Sequence, residues 1–235
     1  MPRKILLYED GRPLDPELRA FLTDRFEFLS ETEAERCKEP YAVVSLGALT
    51  GLAEYLKEKR KQIGEIIVLG GTYTKGDAGA YTEHHFLEDP EAAETVLNAG
   101  YPLTLITLDT RLDAFLQEGD LPVSAASYGR HYTAPDPIRK KIPTSGLVRL
   151  SDPYGKPYRS EGKGGYVFDE LLPFLYLIDR ELFETREEYV AVETEGRQRG
   201  LSVIDFRKHL GKTPNAKVSL RLDRERFIGT IKNGI

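Results

Sequence analysis

Apolar residues along this chain come in short blocks separated by charged or glycine-rich punctuation, and the blocks alternate between two periods. Lys4 to Tyr8 (KILLY) is a short continuous apolar run that ends in charge and Gly11, which predicts a buried strand. Asp15-Pro16-Glu17 predicts a helix start, with Asp15 as N-cap and Pro16 in the first turn, and Leu18, Phe21 and Leu22 follow at helical spacing. Phe26 to Leu29 and Tyr41 to Leu46 (YAVVSL) predict two further strands. From Ala48 to Ile63 the period becomes helical, with Leu49, Leu52, Ala53 and Leu56 opposite Glu54, Lys57, Glu58 and Lys61. Glu65 to Leu69 (EIIVL) is a fourth strand closed by Gly70-Gly71, and Thr72 to Thr82 is loop-like. Asp89-Pro90-Glu91 repeats the Asp-Pro helix start, that helix ends near Gly100, and Leu103 to Leu108 is a fifth strand. Strands alternating with helices predict an α/β fold with a Rossmann-like, mostly parallel sheet and flanking helices.

The second half is less regular. Residues 124–165 contain Pro135, Pro137, Pro143, Pro153 and Pro157 and a glycine-rich end, predicting a long irregular loop. Phe168 to Leu177 then predicts an apolar helix opened by Asp169. Tyr189 to Thr194, Gly200 to Asp205 and Lys217 to Leu222 predict a few late antiparallel strands. No internal repeat and no linker-like composition break divides the chain, so residues 1–235 are read as one domain.

Composition narrows the function. With 33 Lys and Arg against 38 Asp and Glu, the net charge of -5 gives no footprint for a nucleic-acid backbone. No stretch approaches the roughly 20 apolar residues of a membrane helix, and the first residues carry no apolar run of a signal peptide. The single cysteine, Cys37, excludes an internal disulfide and a Cys-rich zinc site, and an unpaired thiol sits most easily in the cytoplasm.

In such sheets ligands bind beyond the carboxyl ends of the strands. Asp10, Asp15, Asp109 and Asp169 all fall where the chain should leave strands or enter helices. Gathered at one rim, they suit a hard cation with oxygen ligands; singly, Asp15 and Asp169 also read as helix caps, and the two roles are compatible. His84-His85 beside Glu83 lacks the one-turn spacing of a helical zinc pair, so a role in binding a polar ligand fits better. Gly70-Gly71 and Gly76-Asp77-Ala78-Gly79 match neither GxGxxG nor the P-loop pattern. Cys37 has no partner histidine near it in sequence and reads as a bystander thiol.

Two blocks resemble the inosine–uridine preferring nucleoside hydrolases. Val44 to Ala53 (VSLGALTGLA) is similar to the family's LGPLTNLA block after a strand. IIVLGGTYTKGDAGAYTEHHFLEDPEAAETVLNAGYPLTLITLD resembles the family's next block, from a Gly-Gly strand end through a Glu-Phe-Asn triplet to Asp-Pro-Glu-Ala-Ala and a strand ending in Leu-Asp. The tail (FDELLPFLYLIDRELF, YVAVETEGRQRGLSVIDF and VSLRLDRERF) is similar too. The resemblance is strong over about residues 41–110 and 166–228 and weak over residues 1–40.

The resemblance implies cleavage of the N-glycosidic bond of ribonucleosides at a calcium ion. It implies metal ligation by Asp10, Asp15, the backbone carbonyl of Thr50, and Asp169. It implies ribose and base contacts from Glu83, with His85 and Asp77 where the family has asparagines, and from Phe168 where the family has histidine. The general-base position falls on Leu14 and the first aspartate on Tyr8, and the segment between the first strand and the Leu-Thr block is several dozen residues shorter than the family's. Leucine accepts no proton and phenylalanine can only stack, so a base would come from Glu9, His85, Asp77 or metal-bound water. Two functions stay open: an N-ribohydrolase, slow or acting on an unusual nucleoside, or a catalytically degenerate protein that binds nucleosides or other partners and keeps the fold. A nucleoside or other ribose-containing small molecule is the expected ligand, without nucleic acid or membrane, and self-association is compatible with either.

Overall fold

A computed structural model of the chain describes residues 3–9, 13–14, 16–58, 60–79, 81–116, 166–167 and 169–233. The first strands form as their runs predict: β1 (Arg3–Tyr8), β2 (Phe26–Leu29), β3 (Tyr41–Ser45), β4 (Ile63–Leu69) and β5 (Leu103–Ile106). Between them lie α1 (Pro16–Thr23), α2 (Glu31–Arg36), α3 (Thr50–Tyr55), α4 (His84–Glu88) and α5 (Pro90–Leu97). After β5 come α6 (Leu108–Asp113), the short paired strands β6 (Phe115–Leu116) and β7 (Tyr166–Val167), a 3₁₀ turn at 169–171 and α7 (Leu172–Ile178). The chain then runs through β8 (Phe183–Glu188), β9 (Val190–Val192), β10 (Ser202–Ile204), β11 (Ala216–Leu222) and α8 (Arg224–Asn233).

Seven strands make one sheet in the order β2-β1-β3-β4-β5-β11-β8. Every neighbouring pair is parallel except β11 with β8. The runs in β3 and β4 are continuous rather than alternating because both sheet faces are covered. Ile5, Val44, Ile67, Leu69 and Ile106 pack with α7 and α8 on one face. Leu6, Val43, Ile66, Val68 and Leu105 pack with α3 and α5 on the other. A smaller antiparallel pair, β9 with β10, stands apart from the main sheet. Among the described residues no helix is long and apolar enough to cross a membrane.

Three sequence expectations need correction, and one strand was not anticipated. The helix expected over 48–63 stops at Tyr55, because Ile63 is drawn into the sheet opposite Tyr41 and starts β4. The strand expected to reach Leu108 ends at Ile106, because Thr107 turns the chain and caps α6. β11, expected among antiparallel strands, sits parallel beside β5 and is antiparallel only to β8. β8 itself (FETREE) lacks an apolar run because it is an edge strand with one side open, where charged residues discourage edge pairing. The loop expected over 124–165 lies outside the described residues.

Candidate active site

Parallel strands bring the carboxyl ends of β1, β3, β4 and β5 to one rim, and the residues that follow β4 build the centre of the site there. Gly70-Gly71 turns the chain: Gly71 has φ 73°, open to glycine, and its N–H donates to Glu83 Oε2 at 3.0 Å. Glu83 is the N-cap of α4, and the same Oε2 accepts from the His85 and Phe86 N–H groups at 3.1 and 3.2 Å. A carboxylate at a helix N-terminus takes up otherwise unpaired N–H groups and faces the positive end of the helix dipole. Glu83 is fully buried. Its Oε1 meets Arg111 Nη2 at 3.1 Å and His85 Nδ1 at 3.3 Å.

Arg111 comes from α6, on the far side of β5 in sequence. It is 1 % exposed, and Nη2 also lies 3.4 Å from Asp77 Oδ2. Asp77 Oδ1 accepts the His84 N–H at 2.8 Å, which joins the 72–82 loop to α4. Gly76 lets that loop fold tightly, since a Cβ there would lie 2.2 Å from the Thr82 backbone. His85 Nδ1 is 2.8 Å from the Leu69 carbonyl. A carbonyl only accepts, so Nδ1 carries the proton and Nε2 is the acceptor of the neutral ring. Asp169 opens the 3₁₀ turn before α7, is buried, and accepts the Glu170 N–H at 3.0 Å.

The two buried carboxyls are driven in opposite directions. Burial alone would raise Glu83, but the Arg111 charge, His85 and the N–H donors outweigh it and hold the carboxyl below its ordinary range. Burial raises Asp169, and Arg111 with its own hydrogen bonds and His85 offset only part of that.

Of the residues singled out in the sequence, Glu83, His85, Asp77 and Asp169 share one electrostatic neighbourhood centred on Arg111. Thr50 starts α3, is exposed, and its hydroxyl donates to the Asp89 carboxylate at the N-cap of α5. Asp10, Asp15 and Phe168 lie outside the described residues. Asp109 is no loop carboxylate; it sits in α6 and accepts from Thr72 Oγ1 and the Tyr73 N–H at 3.0 and 2.9 Å, anchoring the loop. Leu14 is buried in the core, and Glu9 accepts its N–H at 2.7 Å and pairs with Arg19, so Glu9 is occupied in holding that turn.

Sequence reasoning missed Arg111. Its signal was an arginine one turn after Leu108, which is buried, so the cation falls on the inward side of the helix, where only buried anions make it tenable. Calcium does not fit the described residues alone. Among them no three His, Cys, Asp or Glu side chains are placed to hold a metal ion. Glu83 and Asp77 already turn one oxygen each to Arg111.

The fold and the rim define an α/β protein with a parallel sheet covered on both faces and a buried carboxylate cluster beyond its strand ends. The family model for the inosine-uridine preferring nucleoside hydrolases matches residues 11–229, and the chain belongs to that family. The pyrimidine-specific ribonucleoside hydrolase RihA of Salmonella typhimurium is 30% identical over 209 residues, 86% of this chain and 63% of that protein. RihA of an Escherichia coli strain gives the same figures. The chain thus spans somewhat under two thirds of the length of these curated relatives. Two solved structures share the fold. A plant nucleoside hydrolase, PpNRh1, has a TM-score of 0.67 at 21% identity and covers 87% of this chain and 64% of its own. A purine-preferring ribonucleoside hydrolase from Gardnerella vaginalis has a TM-score of 0.66 at 20% identity, covering 97% and 77%.

Proposed function

We propose that this protein binds a ribonucleoside at the Glu83 rim and hydrolyses its N-glycosidic bond slowly. The observation that carries this reading is the preorganised Glu83 carboxylate. Three backbone N–H donors fix one oxygen, and the other is aimed at Arg111 and His85. A fixed anion at the strand ends suits the hydroxyls of a ribose. Asp77 and His85 border it, and the family resemblance implies that Phe168 stacks on the base. His85 Nε2 is the acceptor best suited to take a proton from water, since Glu9 and Asp77 both hold backbone N–H groups. The family is generally metal-dependent, and the ligand set that the resemblance implies, Asp10, Asp15, Thr50 and Asp169, would hold calcium.

Leu14 and Phe168 bring neither a base nor an acid, and each missing proton-transfer group costs about 10²–10⁴ in rate. The second reading, a binder that keeps the fold without turnover, is favoured by the engagement of Glu83 and Asp77 with Arg111. Titration with uridine, cytidine and inosine, followed by release of the free base, separates the two. Binding with slow base release, both lost in Glu83→Gln, supports the hydrolase. Binding without release supports the binder. Failure to bind any nucleoside refutes both.

A further inference from the structure

We propose that Arg111 is a positioning residue of the ribose site: Nη2 of its guanidinium holds Glu83 Oε1 and Asp77 Oδ2 side by side, and a nucleoside binds through the two carboxylates in that arrangement. The proposal deepens the nucleoside-binding reading and rests on it, with the metal that reading includes. Neither Glu83 nor Asp77 belongs to the implied metal ligands, so the role lies beside the calcium site and does not replace it.

The two carboxylates come from one stretch of chain and Arg111 from another. Glu83 caps α4, and Asp77 ties the 72–82 loop to the His84 N–H, so each side chain is fixed through one oxygen. The other oxygens, Glu83 Oε1 and Asp77 Oδ2, meet the same Arg111 nitrogen at 3.1 and 3.4 Å. The Asp77 side chain keeps 11 % of its surface, Arg111 2 % and Glu83 none. Two anions so enclosed repel strongly unless a cation stands between them. A carboxylate has only acceptors, and Arg111 supplies the shared donor from a planar fork that fixes direction as well as charge. Burial would raise the Glu83 carboxyl, and the Arg111 charge leads the groups that hold it below its ordinary range instead. An asparagine at 77 would keep an oxygen for the His84 N–H and bring N–H donors of its own, so it would need no guanidinium beside it.

Arg111 is itself held in position. Thr107 caps α6, donates its N–H to Ser219 Oγ at 3.1 Å and its hydroxyl to the Ser219 carbonyl at 2.9 Å, and Thr110 Oγ1 lies 2.8 Å from Ser219 Oγ. This polar seam pins α6 to β11 and sets where the guanidinium meets the two carboxylates.

Uridine and its 2′-, 3′- and 5′-deoxy analogues should be titrated into the full-length chain in about 5 mM calcium, below the melting temperature of each variant. Burial raises the Asp169 carboxyl and Arg111 opposes that, so calcium is held constant throughout. Arg111→Met is expected to lose about tenfold in uridine affinity, and Arg111→Lys less. Arg111→Met combined with Asp77→Asn should recover most of the loss, because one of the two facing charges is gone. For the deoxyuridine that lacks the hydroxyl held by the carboxylates, parent and Arg111→Met should agree within about twofold, an equality that a merely structural role would not produce. An equal loss for uridine and all three analogues, or Arg111 variants that bind uridine within about twofold of the parent, overturns the positioning role and leaves nucleoside binding standing. If Arg111→Met does not fold, a folded double variant that outbinds Arg111→Lys supports the role, and one that binds no better overturns it. A parent that binds no nucleoside removes the nucleoside-binding reading and this role with it.

Discussion

Asp169 and Glu83 show how one buried cluster can hold two carboxylates at odds. The folded-state pKa of Asp169 is raised above its ordinary 3.8, chiefly by burial. For an acid shifted upward, stability falls as pH rises from the unfolded value through the folded one and stays lower above it. Asp169→Asn removes the charge and keeps an oxygen able to accept the Glu170 N–H. Its Tm should exceed the parent's at neutral pH. The gap should close as pH falls below 3.8. An Asn variant less stable than the parent at neutral pH would show that the Arg111–Asp169 attraction exceeds the desolvation penalty. Glu83 runs the other way. Its carboxyl is lowered, so its contribution is complete above 4.5 and is lost as pH falls through the folded value.

Among the elements, the β9–β10 pair has a purpose its strands alone would not reveal. Ser202 on β10 is buried and bonds the Thr72 backbone twice, accepting the N–H at 2.9 Å and donating to the carbonyl at 2.6 Å. These bonds clamp the chain just after Gly70-Gly71, where Gly71 reaches Glu83. Ser202→Ala leaves a buried N–H and C=O without their partner and should cost about 1–3 kcal/mol. Nucleoside affinity should fall further than that of a surface variant of equal stability loss, because the turn that presents Gly71 to Glu83 loosens with it. Equal affinity in parent and variant would show that Asp109 alone fixes the loop. The Asp89-Pro90 start was legible because it is local: Asp89 accepts the Ala92 N–H at 3.0 Å and Pro90 begins α5. The capping box of α2, with Ser30 and Glu33 bonding each other's backbone, was equally local. It lay in a short polar segment whose apolar pattern was too thin to suggest a helix.

At the scale of the whole molecule, β3, β4 and β5 lie inside a sheet covered on both faces, while β2 and β8 are its edges. Amide hydrogen exchange should therefore be slowest in β3 to β5 and faster by orders of magnitude in β2 and β8. Uniform protection across all seven strands would mean that the edges are covered in solution by another surface, such as a second copy of the chain.

The sequence by itself determined the alternation of strands and helices, a mostly parallel sheet, and the family. Those features are carried by nearest-neighbour chemistry: burial periodicity, Asp-Pro helix starts, glycine turns and ordered blocks of residues. It also marked Glu83, His85, Asp77 and Asp169 as worth watching. Only the tertiary structure decided that β11 enters between β5 and β8, that the helix after β3 stops at Tyr55, and that Asp109 anchors a loop. It alone brought Arg111 to Glu83 and Asp77, which are 28 and 34 residues away along the chain. A one-dimensional pattern records which residues tend to be buried. Which buried charge meets which depends on how separate strands and helices approach at the rim, and no local period encodes that approach.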